Sequence, residues 1–301
     1  MNSNKIKKSG ICVCLLILPL SIAFGQSYDN LDKIKNHSNY FHSKNAAVAA
    51  DQIVEKIASA EHYFTEKFKV KPTYTLLILN PEDWKTLAHP KAIYGIPHYL
   101  PDGRLVVAAE NNDFWRRNTP PIDQLPPDVR EQFRKIYVDK NGDISLQPFF
   151  DLLAIHELGH AFQKSAEINS QRKWMNELMC NILLHNFVAE KSSENISALT
   201  LLPNLFVNNV DASKFRHTKL DDFETQYNEI AQNFPENYGW YQFRFHSFAG
   251  KIYDTGGEAT MLKIWSEFGN QKQKLDDAAF TLFLEKADKN LADAIKNWDK
   301  N

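Results

Sequence analysis

His156-Glu157-Leu158-Gly159-His160 sets two imidazoles four residues apart, with a carboxylate directly after the first. On an α-helix four residues turn through about 400°, so both rings leave one face and can share a tetrahedral metal ion such as Zn²⁺. Glu157 then stands beside that face, where it can take a proton from an activated water without becoming a ligand. The chemistry this pattern suits is metal-assisted hydrolysis, and it makes a demand on the rest of the chain. A catalytic zinc site takes three protein donors and leaves its fourth position open.

A third donor must therefore lie elsewhere. Glu177 sits on the next predicted helix among Trp174, Met175, Leu178, Met179, Ile182 and Leu183. A carboxylate in such apolar company is costly unless it meets a cation. Spacing alone leaves two readings open: Glu177 is a metal donor, or Lys173, Glu177, Asn181 and His185, four residues apart, form the wetted stripe of an amphipathic helix.

The order H-E-L-G-H, a short connector, then Trp174-Met175-Asn176-Glu177, with 16 residues between His160 and Glu177, resembles the gluzincin metallopeptidases, the superfamily of thermolysin and aminopeptidase N. The resemblance implies that Glu177 is the third ligand, completing a set of His156, His160 and Glu177 around one Zn²⁺ per chain, with Glu157 as general base. It places Asn181, one turn after Glu177, where an acid often hydrogen-bonds a zinc-bound histidine, and an amide oxygen can accept that N–H as well. It also implies a tyrosine or histidine, well downstream, that stabilises the oxyanion. The stretch 238–246 offers candidates. Tyr241, 64 residues after Glu177, is the expected donor. Tyr238, Trp240 and Phe243 are expected to be core aromatics, and His246 a packed or surface histidine.

Those residues need elements to carry them. Val48, Ile53, Ile57, Ala60, Phe64 and Phe68 recur near helical spacing and predict a helix over 46–68. Strands are predicted at 74–79 and 105–109, the second entered through Pro101-Asp102-Gly103 and expected at a sheet edge that could take up a peptide. Ala108-Ala109-Glu110-Asn111 faintly resembles the motif with which aminopeptidase N enzymes grip a substrate amine. Residues 111–148 hold five prolines and predict an irregular excursion, either a lid or a surface decoration, with one short helix at 129–137. Within it Asp139-Lys140-Asn141-Gly142-Asp143 is a turn rather than a calcium loop, because Ile144 and Phe150 stand where glycine and the bidentate acid belong. Beyond Pro148 helices are predicted at about 149–165, 172–190, 218–232, 240–254, 257–268, 275–287 and 289–298. Strands early and helices late make the class α+β. The resemblance implies a zincin-like two-lobed catalytic domain at 27–301: a small-sheet upper lobe with the motif helix at 27–165, and an all-helical lower lobe at 166–301.

Composition sets the outer bounds. Lys5, Lys7 and Lys8 precede an apolar run, 11–24, that is too short to span a membrane comfortably, so residues 1–26 read as a signal peptide without a lipidation cysteine at its end. The reading is a secreted or periplasmic protein with no stable membrane insertion. Its removal leaves 32 basic against 37 acidic residues, and no basic stripe points to nucleic acid. Cys180 remains alone, so stability must come from a core, for which 43% hydrophobic and 12% aromatic residues suffice. The expected activity is a zinc metallopeptidase acting on peptide or protein substrates. Its rivals are an aminopeptidase of the same superfamily and a zincin-fold binding protein without catalysis. Peptide deformylase, which also carries H-E-x-x-H, needs a cysteine ligand before the motif, and the mature chain has none there.

Overall fold

Apolar runs and turn residues early in the chain build a small sheet. In the computed structural model, which describes residues 28–139 and 141–300, it comprises β1 (Asp32–Lys33), β2 (Tyr40–His42), β3 (Thr75–Leu79), β4 (His98–Tyr99) and β5 (Arg104–Ala108). The expected leader at 1–26 lies outside the described residues. Helix α1 (Ala47–Phe68) crosses over between the parallel strands β2 and β3, burying Ile53, Ile57, Ala60 and Phe64, and ends on Lys69 in the left-handed region. Helix α2 (Pro81–Leu87), capped by the Asn80 side chain, follows β3.

The strand order is β1-β2-β3-β5-β4, parallel through β2, β3 and β5 and antiparallel at both margins. Leu76 to Leu79 of β3 and Leu105 to Ala108 of β5 are buried throughout, the continuous apolar pattern of strands covered on both faces. The expectation that the strand at 105–109 is an edge is corrected: β5 lies between β3 and β4, and the edge is β4. Pro101-Asp102-Gly103 is not simply the entry to a strand but the turn of a β4–β5 hairpin. Gly103 there has φ +94°, and the Leu100 N–H donates to the Arg104 carbonyl at 2.8 Å. Two-residue β4 carries no apolar run, so periodicity had nothing to register.

The proline-rich excursion is docked rather than loose. It forms α3 (Asp113–Arg117) and α4 (Pro127–Ile136), with Trp115 stacked on Phe150 and the Tyr137 hydroxyl donating to the Ala198 carbonyl at 2.7 Å. Next to the bridged residues Val138 and Ile144, the Asp139 N–H donates to the Asp143 carbonyl at 2.7 Å.

From there the chain is helical: α5 (Gln147–Ser165), α6 (Lys173–Lys191), α7 (Ile196–Asn209), α8 (Leu220–Asn233), α9 (Pro235–Asn270), α10 (Asp277–Ala287) and α11 (Lys289–Lys296). Helix α9 unites the two helices predicted at 240–254 and 257–268, and it kinks between them at Gly257, where φ is +58° and ψ −155°. Helix α7 was not foreseen because Pro203 sits inside it. The missing N–H and the ring clash there cost about 3 kcal/mol, and the burial of Ala198, Leu199 and Leu202 offsets it. The class is α+β, with 65% of the described residues helical and a small mixed sheet. The apolar side chains of sheet and helices join one continuous core.

Candidate metal centre

The motif histidines lie on α5 and Glu177 lies on α6, so the spacing of these two helices decides whether their side chains can meet. Gly159 sets that spacing. A Cβ at position 159 would stand 3.0 Å from the Cys180 Sγ and 3.3 Å from its Cα, tight enough that α6 would have to shift for any larger residue, so glycine suits this close approach of α6 to α5. The apolar sides of both helices hold them there, through fully buried Leu158 and Phe162 on α5 and Met175, Leu178 and Ile182 on α6.

On the polar side three groups converge. The Glu177 Oε2 lies 3.3 Å from the His156 Nε2 and 3.9 Å from the His160 Nε2, with all three side chains largely buried. Two donors about 2.0–2.1 Å from a tetrahedral zinc stand roughly 3.3 Å apart, so the His156–Glu177 separation is that of a shared ion and the His160 separation is slightly wider. The remaining ring nitrogens are backed from behind. His156 Nδ1 lies 3.2 Å from the Asn181 Oδ1, while the Asn181 Nδ2 donates to the Glu177 carbonyl at 3.1 Å. Because the amide nitrogen is committed to that carbonyl, its oxygen faces the ring and accepts from the Nδ1–H, which turns Nε2 toward Glu177. Asn181 thus makes the orienting contact expected of it.

His160 is backed by sulfur. Its Nδ1 lies 3.3 Å from the Cys180 Sγ, which also accepts from the Gln163 Nε2 at 2.8 Å. Among the described residues the group whose donor atoms all lie within 4.8 Å of one another is His156, His160 and Cys180, so Cys180 competes with Glu177 for the third position. The chemistry of the two sets differs. The Cys180 Sγ faces the Nδ1 of His160 whereas Glu177 faces its Nε2, and burial raises the thiol pKa well above its usual range. For Glu177 burial works to raise the pKa, but the hydrogen bond with His156, the neighbouring imidazoles and a bond from Gln242 outweigh it and hold the carboxyl at about 2, ionised.

Glu157 leaves the helix beside this cluster and accepts from the Tyr99 N–H of edge strand β4 at 2.8 Å. Burial, reinforced by repulsion from Glu177 and opposed by His156, pushes its pKa up to about 7, the range suited to exchanging protons near neutrality. The His160 imidazole is pushed down to about 4, chiefly by burial, and so presents a neutral ring.

Aromatic hydroxyls are linked to Glu177 through Gln242, but not the one expected. Tyr241 is fully buried, its hydroxyl donates to the Lys219 carbonyl at 2.7 Å, and its ring stacks on Trp298. The expectation that Tyr241 supplies the oxyanion donor is corrected: it is a core residue. Tyr238, expected in the core, comes to the site instead. Gln242 Nε2 donates both to the Glu177 Oε2 at 3.1 Å and to the Tyr238 hydroxyl at 2.9 Å, and the Tyr227 hydroxyl lies 3.5 Å from that of Tyr238. The negative charge of Glu177 is the main cause of a raised Tyr227 pKa and, behind burial, contributes to that of Tyr238, as hydroxyls beside the carboxylate must feel. Helical phase explains the exchange: Tyr238 and Gln242 are four apart on α9 and share a face, whereas Tyr241 is turned about 100° from Gln242. Tyr227 arrives from α8 just after the non-helical Gln226.

His246 is a packed histidine, set edge-on against Phe149. Asn111, in the faint substrate-amine motif, is tied by Asp139 and Ser145 rather than placed at Glu157. Comparison with known proteins returns no matching family model, no matching curated protein and no matching solved structure.

Proposed function

We propose that this protein is a secreted zinc-dependent peptidase whose Zn²⁺ is held by His156, His160 and Glu177, in a zincin-like domain with a sheet-bearing upper lobe and a helical lower lobe. The observation that carries this reading is the approach of one buried carboxylate oxygen, from a separate helix, to the Nε2 atoms of both motif histidines at 3.3 and 3.9 Å. The Glu177 set is preferred to the Cys180 set because the Glu177 carboxylate faces the Nε2 atoms of both histidines, while the Cys180 Sγ lies against the Nδ1 of His160.

Zn²⁺ held by these three residues would supply Lewis-acid activation at the site. Glu157 would accept a proton from the attacking water and return it to the leaving nitrogen, a role suited to a carboxyl poised near 7. Tyr238, with Tyr227 beside it, donates to the peptide oxygen as negative charge develops. The Tyr99 N–H of β4 points away from its sheet partner and toward Glu157, so an extended peptide laid along this edge brings its scissile bond to the base. Among the described residues no helix is long and apolar enough to cross a membrane.

The test is Glu157→Gln. Loaded with zinc, this variant should keep the parent's metal content and lose on the order of 10²–10⁴-fold in cleavage of a mixed peptide library. Cleavage at the parent rate would remove Glu157 from the mechanism.

A further inference from the structure

Gln242 occupies an unusual position between two groups of opposite duty. Its single Nε2 lies 3.1 Å from the Glu177 Oε2 and 2.9 Å from the Tyr238 hydroxyl, and an amide NH₂ has one hydrogen for each. The amide orientation follows from chemistry, since an ionised carboxylate only accepts and the nitrogen must face it. A consequence follows for Tyr238. An NH₂ group cannot accept, so the tyrosine oxygen is the acceptor in this contact and its own O–H must be directed elsewhere. The Tyr227 oxygen, at 3.5 Å, is too distant to hold that proton firmly, which leaves the O–H free to turn toward a developing negative charge.

We propose that Gln242 is a positioning residue that sets the ligating carboxylate of Glu177 and the donor hydroxyl of Tyr238 in one register through a single amide nitrogen. It touches neither the reacting atoms nor the ion. Its effect on Glu177 is to fix the carboxylate rotamer before an ion arrives, and its effect on Tyr238 is to occupy the lone pair so that the hydroxyl donates. Tyr238 and Gln242 are one helical turn apart on α9, and Gln242 touches α6 at Glu177, so the packing of α9 on α6 transmits directly to the site. Groups that orient metal ligands typically carry 10–100-fold in metal affinity, and a misaimed oxyanion donor acts on kcat rather than KM.

This inference rests on the metal-site reading above, and the test separates the two. Gln242→Leu removes both bonds, and Gln242→Met removes them while keeping the length of the side chain. Zinc affinity is measured by chelator competition, the visible absorption of the Co²⁺-substituted protein reports ligand geometry, and kcat and KM are taken at saturating zinc, with Glu177→Ala as the benchmark for a lost ligand. Either variant, folded as judged by circular dichroism, should bind zinc about 10–100-fold more weakly than the parent. It should also show altered Co²⁺ bands and lose at least about tenfold in kcat with KM little changed. Parent-like zinc affinity, or a parent-like kcat at saturating zinc, would overturn the role of Gln242 while leaving the metal site standing. Failure of the parent itself to bind zinc would instead overturn the site.

Discussion

Replacing Tyr238 by Phe and, separately, Tyr241 by Phe removes one oxygen in each case from residues three apart on the same helix, yet the two changes should fail in different assays. The Tyr241 hydroxyl is buried and donates to the Lys219 carbonyl at 2.7 Å. Its loss leaves that carbonyl without this donor, at a cost of about 1–3 kcal/mol, which for a chain of this size lowers Tm by on the order of 5 °C. It leaves kcat untouched. The Tyr238 hydroxyl accepts from Gln242, which also bonds Glu177, so its removal weakens little of the folded state. It takes away a donor worth about 10²–10³-fold in kcat. The Tyr227 hydroxyl, 3.5 Å away, can serve in part, which puts the expected loss near the lower end, about 10²-fold. The assay is a pair of thermal melts and steady-state kinetics at saturating zinc on a peptide the parent cleaves. A Tyr241→Phe variant that melts like the parent but loses kcat, beside a Tyr238→Phe variant of full activity, would refute the assignment of core and site on α9.

Two further variants probe the support around the site. Asn181→Leu removes the acceptor behind His156, and zinc affinity by chelator competition should fall about 10–100-fold; an unchanged affinity would show that His156 needs no such partner. Glu258, next to the α9 kink, accepts from Lys67 at 2.6 Å and from the Tyr63 hydroxyl at 2.7 Å, joining α9 to α1. Burial works to raise its pKa, but those partners outweigh it and the folded value lies below the usual carboxyl range. The stability it contributes is therefore present above the unfolded carboxyl pKa and lost as pH falls through the lower folded value. Glu258→Gln should destabilise by about 1 kcal/mol near neutral pH, with the gap to the parent closing in acid. A gap that stays constant in urea melts across that range would contradict the charged bridge.

The sequence made the metal cluster legible because helical geometry alone brings residues four apart to one face: His156 and His160 meet as their spacing requires, and Asn181 and Glu177 repeat the same logic on α6. The closing tyrosine was not legible. Choosing among Tyr238, Tyr241 and the unconsidered Tyr227 depends on the phase of α9 against α6, where one residue changes direction by about 100° and turns a site residue into a core residue. Gln242 and Cys180 were missed for a related reason. Neither residue type announces a role, although Cys180, three after Glu177 and close beneath Gly159, sits where a backing group for His160 had to be. The edge strand escaped because two residues carry no periodicity, and α7 because Pro203 reads as a breaker. Helix ends with strong local chemistry were easier: Asp276 and Asp288 cap α10 and α11 close to where their patterns predict them.

The central claim is that one ion is held by His156, His160 and Glu177. Zinc content per folded chain, measured side by side in the parent, Glu177→Ala and Cys180→Ala after dialysis against a weak chelator, tests it most directly. The account predicts one zinc in the parent, loss of that zinc in Glu177→Ala and its retention in Cys180→Ala. Full zinc in Glu177→Ala, with loss in Cys180→Ala, would give the third ligand to the thiol and contradict the account.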